Sequence, residues 1–121
     1  MARVLIVVDS PSQLMGMKRI FEKLGHETIT AEDGQQGVDV AKKELPDLIL
    51  MDVVMPNLNG FQATRSIAKD ASTSHIPVIL VTTKDQETDK VWGIRQGAKA
   101  YLTKPVNEAA LIKLVKELLP G

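Results

Sequence analysis

The chain reads as an α/β protein built on a doubly wound parallel sheet, and three observations point to it. Short runs of Val, Ile and Leu recur along the sequence without alternation, at residues 4–8, 48–51 and 78–81. Runs of this length and composition are strands buried on both faces, which is a property of parallel sheets. Between them lie stretches whose apolar residues return at helical spacing. Strand and helix thus alternate through the chain, and right-handed crossovers place helices on both faces of one sheet.

The elements follow in order. Residues 4–8 form the first strand. Ser10 and Pro11 are a cap residue followed by proline at the first helical position, and Leu14, Met17, Ile20, Phe21 and Leu24 then share a face until Gly25 ends the helix. Residues 26–31 form a shorter strand centred on Ile29. A helix over 34–44 is carried by Val38 and Ala41, and Pro46 stops it. Residues 48–51 form the third strand. The helix over 60–70 turns Phe61, Thr64, Ile67 and Ala68 to one side. Residues 78–81 form the fourth strand, and the helix over 86–96 carries Val91 and Ile94 before Gly97. Residues 100–103 form the last strand. Asn107 caps a final helix to 119 through Ala110, Leu111, Leu114, Val115 and Leu118.

Composition narrows the function. A chain of 121 residues suits one domain with one core. Fifteen basic and fifteen acidic residues cancel, so no basic surplus favours a nucleic-acid surface. There is no cysteine, which excludes disulfides and thiolate sites. The N-terminal apolar run lacks a signal-peptide pattern. No run approaches the ~20 residues of a membrane span. A soluble protein of a reducing compartment, the cytoplasm, is the default.

Each main apolar run ends in a polar residue: Asp9, Asp52, Thr82 and Lys104, the last followed by Pro105. Open parallel sheets bind ligands beyond the carboxyl ends of their strands. Two carboxylates, a hydroxyl and an ammonium should therefore meet in one crevice, a set suited to a divalent cation and a phosphoryl group. Taken alone, Asp9 is equally placed to cap the first helix, a role also open to Ser10. Met15, Met17, Met51 and Met55 read as packing. His26 and His75 match no metal spacing.

The strings VLIVVDSPSQ, DLILMDVVMPNLNG, PVILVTTK and AYLTKPV, in this order and spacing, resemble the receiver domain of two-component response regulators across the whole chain. The stretches GFQATRSIAKD and PVILVTTKDQETDKVWG most resemble single-domain receivers of type IV pilus twitching motility. The resemblance implies a flavodoxin-like sheet of order 2-1-3-4-5, one receiver domain over residues 1–121 and no output domain. It implies a phosphoacceptor protein, not an enzyme with an external substrate, whose Asp52 takes a phosphoryl group from a histidine kinase. Asp9, Asp52 and the carbonyl of Val54 would hold Mg²⁺; Lys104 and Thr82 would contact phosphoryl oxygens. Pro105 would follow a cis peptide, and Gly60 would serve a tight turn. Tyr101 would be a switch that turns inward when Thr82 engages phosphate. Lys90, Trp92 and Ile94 on the fourth helix would join it on a surface read by a downstream protein partner. Neither nucleic acid nor membrane insertion is implied.

One position departs from the pattern. Such receivers usually end the first strand with two acids, and the first is here Val8. The missing acid would hold metal-bound waters, and losing such a partner typically costs ~10–100-fold in metal affinity. Mg²⁺ binding should weaken accordingly. The alternative function is a pseudo-receiver, an interaction module indifferent to phosphorylation. Other classes fit less well. A flavin carrier needs a phosphate cradle where this chain has Asp9. A nucleotide enzyme needs a G-x-x-x-x-G-K-[ST] loop, which is absent. A phosphatase with an aspartyl nucleophile would want a second acid two residues on, where Val54 stands.

Overall fold

A computed structural model of the chain describes residues 1–119. Five strands alternate with five helices: β1 (Arg3–Val7), α1 (Pro11–Lys23), β2 (Glu27–Ala31), α2 (Gly34–Glu44), β3 (Leu48–Asp52), α3 (Gly60–Lys69), β4 (Val78–Thr82), α4 (Glu87–Arg95), β5 (Ala100–Thr103) and α5 (Glu108–Leu118). All strand pairs are parallel, in the order β2-β1-β3-β4-β5. The doubly wound sheet and its 2-1-3-4-5 order are as the sequence implied.

The unalternating strands are explained by two cores, one on each face. Leu5, Val7, Ile49, Met51 and Leu80 pack with Val38, Ala63 and Ile67. Val4, Ile6, Val8, Leu50 and Val81 pack on the other face with Met17, Phe21, Leu111 and Val115. Every residue of β3 and of β4 is buried. Fully burying one such aliphatic side chain is worth ~1.5–3 kcal/mol, so the central strands are the fixed part of the molecule.

Caps set the helix starts. Asp33 accepts from the Gln36 amide at 2.8 Å, Asn59 from Gln62 at 2.9 Å and Asn107 from Ala110 at 2.9 Å. Ser10, not Asp9, occupies the cap position of α1, with Pro11 behind it. Gly25 and Gly97 supply positive φ after α1 and α4.

Two readings of the sequence are refined. The apolar pair that marks the fourth helix, Val91 and Ile94, does not face the core; each is 48% exposed, which agrees with Ile94 on the expected partner surface. Gly93 and Gln96 form the buried side of α4 instead. A Cβ on Gly93 would lie 2.8 Å from Leu80 Cδ1 and 2.9 Å from Tyr101 Cδ2. The missing side chain lets α4 sit close to the sheet, which turns Val91 and Ile94 outward. Met15 is also exposed, whereas Met17 and Met51 are buried. Among the described residues no helix is long and apolar enough to cross a membrane.

Candidate phosphoryl-transfer site

The site lies at the carboxyl edge of the sheet, where β1, β3, β4 and β5 end side by side. Asp52 is the last residue of β3 and only 6% exposed. Lys104, one residue past β5, donates from Nζ to Asp52 Oδ2 at 2.6 Å. The same ammonium donates to Gln13 Oε1 on α1. Asp52 Oδ1 accepts from the Val54 amide at 3.3 Å. One nearly buried carboxylate is thus held by an ammonium on one oxygen and a backbone amide on the other. A charged donor or acceptor makes such hydrogen bonds roughly twice as strong as neutral ones.

Thr82 ends β4 and is fully buried. Its Oγ1 accepts from the Lys84 amide at 3.3 Å, and its carbonyl accepts from the Lys104 amide at 2.8 Å. The second bond ties the base of Lys104 to β4. The Lys104–Pro105 peptide is cis. Tyr101, on β5, is half-buried with its ring beside Gly93, and its hydroxyl donates to the Lys84 carbonyl at 2.8 Å. Burial first, and then the carboxylates of Asp89, Asp85 and Asp52, push this phenol up to about 12.

Asp9 follows β1, the strand beside β3, and is exposed. Val8 is 2% exposed and belongs to the core on the α1 and α5 side. Among the described residues no three His, Cys, Asp or Glu side chains are grouped to hold a metal. Asp9, Asp52 and the carbonyl of exposed Val54 remain a hard-oxygen donor set. That suits Mg²⁺, which is usually bound by one or two carboxylates and keeps several waters.

Gly60 is needed for a different reason than the sequence suggested. Its φ is not positive. A Cβ there would lie 2.1 Å from the Asp52 carbonyl oxygen and 2.7 Å from Val53 Cα. The requirement is close approach of α3 to the acceptor strand, sealed by the Gly60 amide donating to the Val53 carbonyl at 2.9 Å. On α4, Trp92 and Ile94 are about half exposed and Lys90 is partly so. They lie on the helix that Gly93 seats against Tyr101. Sequence reasoning missed Gln13 and Gly93. Gln13 gave no signal beyond standing four residues after Asp9.

A sheet of this order with an acid, a hydroxyl and a lysine at its carboxyl edge defines a class. The chain belongs to the response regulator receiver domain family, which it matches over residues 4–116. It is 60% identical over 121 residues to the protein PilH of Pseudomonas aeruginosa, with both chains covered in full. Among solved structures it is similar to the chemotaxis protein CheY4 of Vibrio cholerae, with a TM-score of 0.90 and 32% identity over 98% of this chain and 99% of that one. The receiver domain of the sensor histidine kinase PA1611 from Pseudomonas aeruginosa gives a TM-score of 0.89 at 29% identity, over 97% and 96%. That structure has a magnesium ion coordinated in its active-site cleft.

Proposed function

We propose that this receiver accepts a phosphoryl group on Asp52 and signals through protein contact. The observation that carries the reading is the 2.6 Å pair between Lys104 and the nearly buried Asp52. A carboxylate oxygen of Asp52 attacks phosphorus of a kinase phosphohistidine or of a small acyl phosphate. The P–N or P–O bond breaks, and its electron pair leaves with the imidazole or the carboxylate. The Lys104 ammonium faces the negative charge of the incoming oxygens, and such fixed charge is most of what phosphoryl-transfer sites supply. Thr82 turns its hydroxyl from the Lys84 amide toward a phosphoryl oxygen. Asp9, Asp52 and the Val54 carbonyl would hold Mg²⁺, which would supply further neutralisation of phosphoryl charge.

The output surface in this reading is α4 with β5. Val91, Trp92 and Ile94 are exposed there beside Lys90, and Tyr101 underlies them. A partner that binds one arrangement of Tyr101 better shifts the population toward it, and couplings of ~1–3 kcal/mol are typical. In this reading the pathway is type IV pilus motility and the compartment the cytoplasm; the 60% identity to PilH over the full length supports it.

Val8 favours a second reading, a module that binds its partner without being phosphorylated. One experiment separates the two. Incubation with Mg²⁺ and acetyl phosphate, borohydride trapping and mass spectrometry should place the adduct on Asp52 and nowhere in Asp52→Asn. Label on Asp9 or Asp85, or undiminished label in Asp52→Asn, contradicts the assignment. No label at any donor concentration selects the second reading.

A further inference from the structure

We infer that Gln13 is a positioning residue, holding the Lys104 ammonium over Asp52 through its side-chain carbonyl. The inference rests on Asp52 being the phosphoryl acceptor and assigns the group that aims its lysine. Lysine is a flexible four-carbon stem with a compact charge, and fixing it costs rotamer entropy. Here that stem is largely enclosed, with only 13% of the Lys104 side chain exposed. Its base is fixed by the Lys104 amide donating to the Thr82 carbonyl. Its tip has three protons to donate. One goes to Asp52 Oδ2 and one to Gln13 Oε1, on a helix 91 residues away in sequence.

The second bond decides where the ammonium stands. A lysine held by Asp52 alone would follow that carboxylate wherever it moved. With Gln13 on the opposite side, the charge is suspended between α1 and β3. It stays beside the crevice when an Asp52 oxygen is occupied by phosphorus. Gln13 suits the task because α1 is anchored. Met17 and Phe21, one and two turns further on, are buried in the core that also holds Val8. Gln13 and Lys104 also line an open groove of about 550 Å³ between α1 and the start of α5, together with Met17, Ile20, Pro105 and Val106. The bond bridges the two walls of that groove.

The test compares the parent with Gln13→Met, which keeps length and helix propensity but loses the carbonyl, and with Gln13→Glu, which restores an acceptor of the same reach. In protein carrying ¹⁵N-lysine, the Lys104 ammonium resonance should be sharp and slow to exchange in the parent and in Gln13→Glu. It should broaden in Gln13→Met. Labelling of Asp52 by acetyl phosphate should slow about tenfold in Gln13→Met at unchanged half-saturation, the rate equivalent of one charged hydrogen bond. An unchanged ammonium resonance in Gln13→Met overturns the inference. So does a lost resonance with an unchanged labelling rate. A parent protein that takes no label overturns the acceptor reading instead, and the ammonium spectrum, which needs no donor, still decides the role of Gln13.

Discussion

The phenol of Tyr101 and the backbone carbonyl of Lys84 are joined at 2.8 Å. The amide of the same Lys84 is held by the Thr82 hydroxyl at 3.3 Å. One residue of the turn after β4 is therefore gripped from both sides, by the hydroxyl proposed to meet phosphate and by the aromatic proposed to report it. Drawing Thr82 toward Asp52 frees the Lys84 amide and loosens the seat of Tyr101. The coupling between site and surface needs no longer path than this.

Tyr101 ionisation reads that seat directly, because it is the only tyrosine. Its hydroxyl lies at about 12 in the folded protein, against ~10 unfolded. The folded state thus holds its proton more tightly. The resulting stability is complete below pH ~10 and is lost as pH rises through about 12. Phenolate absorbance should show a midpoint about 2 units lower in urea than in buffer. Asp89→Asn should lower the folded midpoint and leave the unfolded one unchanged.

Gly93→Ala should displace the Tyr101 ring without unfolding the protein. The added Cβ would meet Tyr101 Cδ2 at 2.9 Å and Leu80 Cδ1 at 2.8 Å. Overpacking costs ~1–3 kcal/mol, and replacing a helical glycine by alanine returns ~1 kcal/mol. Net destabilisation should therefore stay within ~2 kcal/mol. The phenolate midpoint should fall toward 10, and emission of neighbouring Trp92 should change. A Tyr101 midpoint and Trp92 spectrum identical to the parent would show that Gly93 does not set the ring position.

Val8→Asp should exchange stability for metal affinity. Val8 is 2% exposed, and removing an aliphatic group of that size from the core costs on the order of 2 kcal/mol. A third carboxylate beside Asp9 and Asp52 adds like-charge repulsion in the metal-free protein. Mg²⁺ binding should strengthen by about tenfold or more, and denaturant melts should show the loss largely recovered at saturating Mg²⁺. Equal Mg²⁺ affinity in the two proteins would remove Val8 from any account of the metal.

Val54→Asn should shorten the life of the acyl phosphate. Val54 is 57% exposed, two residues past the acceptor. Hydrolysis requires a water placed in line with the P–O bond, and an amide side chain can hold one where an isopropyl group cannot. The decay of ³²P label after donor removal measures the effect. Fast decay in the parent, unchanged by the substitution, would rule it out.

The strand ends were legible because a parallel sheet forces apolar runs to stop where its ligand crevice begins. That logic located Asp9, Asp52, Thr82 and Lys104 without contact information. It did not show how α4 is seated, where Val91 and Ile94 mark the helix but glycine makes the contact with the sheet. Periodicity weighs what a side chain adds and is blind to a helix seated by one that is absent. It also read Gly60 as a turn residue, since a sequence does not reveal what stands opposite a missing Cβ. Gln13 stayed hidden for a third reason: its partner is 91 positions away and no local pattern joins them.

The absent side chain of Gly60 has a mechanical consequence. The Asp52 carbonyl oxygen lies 2.1 Å from where a Cβ would be, so the first turn of α3 bears directly on the acceptor strand. The arch between them is pinned at both feet, by the Gly60 amide on the Val53 carbonyl and the Val54 amide on Asp52. Close-packed interiors transmit a push and do not absorb it. On that flank the molecule is an anvil: a phosphoryl group on Asp52, as proposed, would press against a first turn of α3 that has little room to yield. All the travel is left to the Thr82 and Tyr101 flank, and the motion gains a direction before any partner arrives.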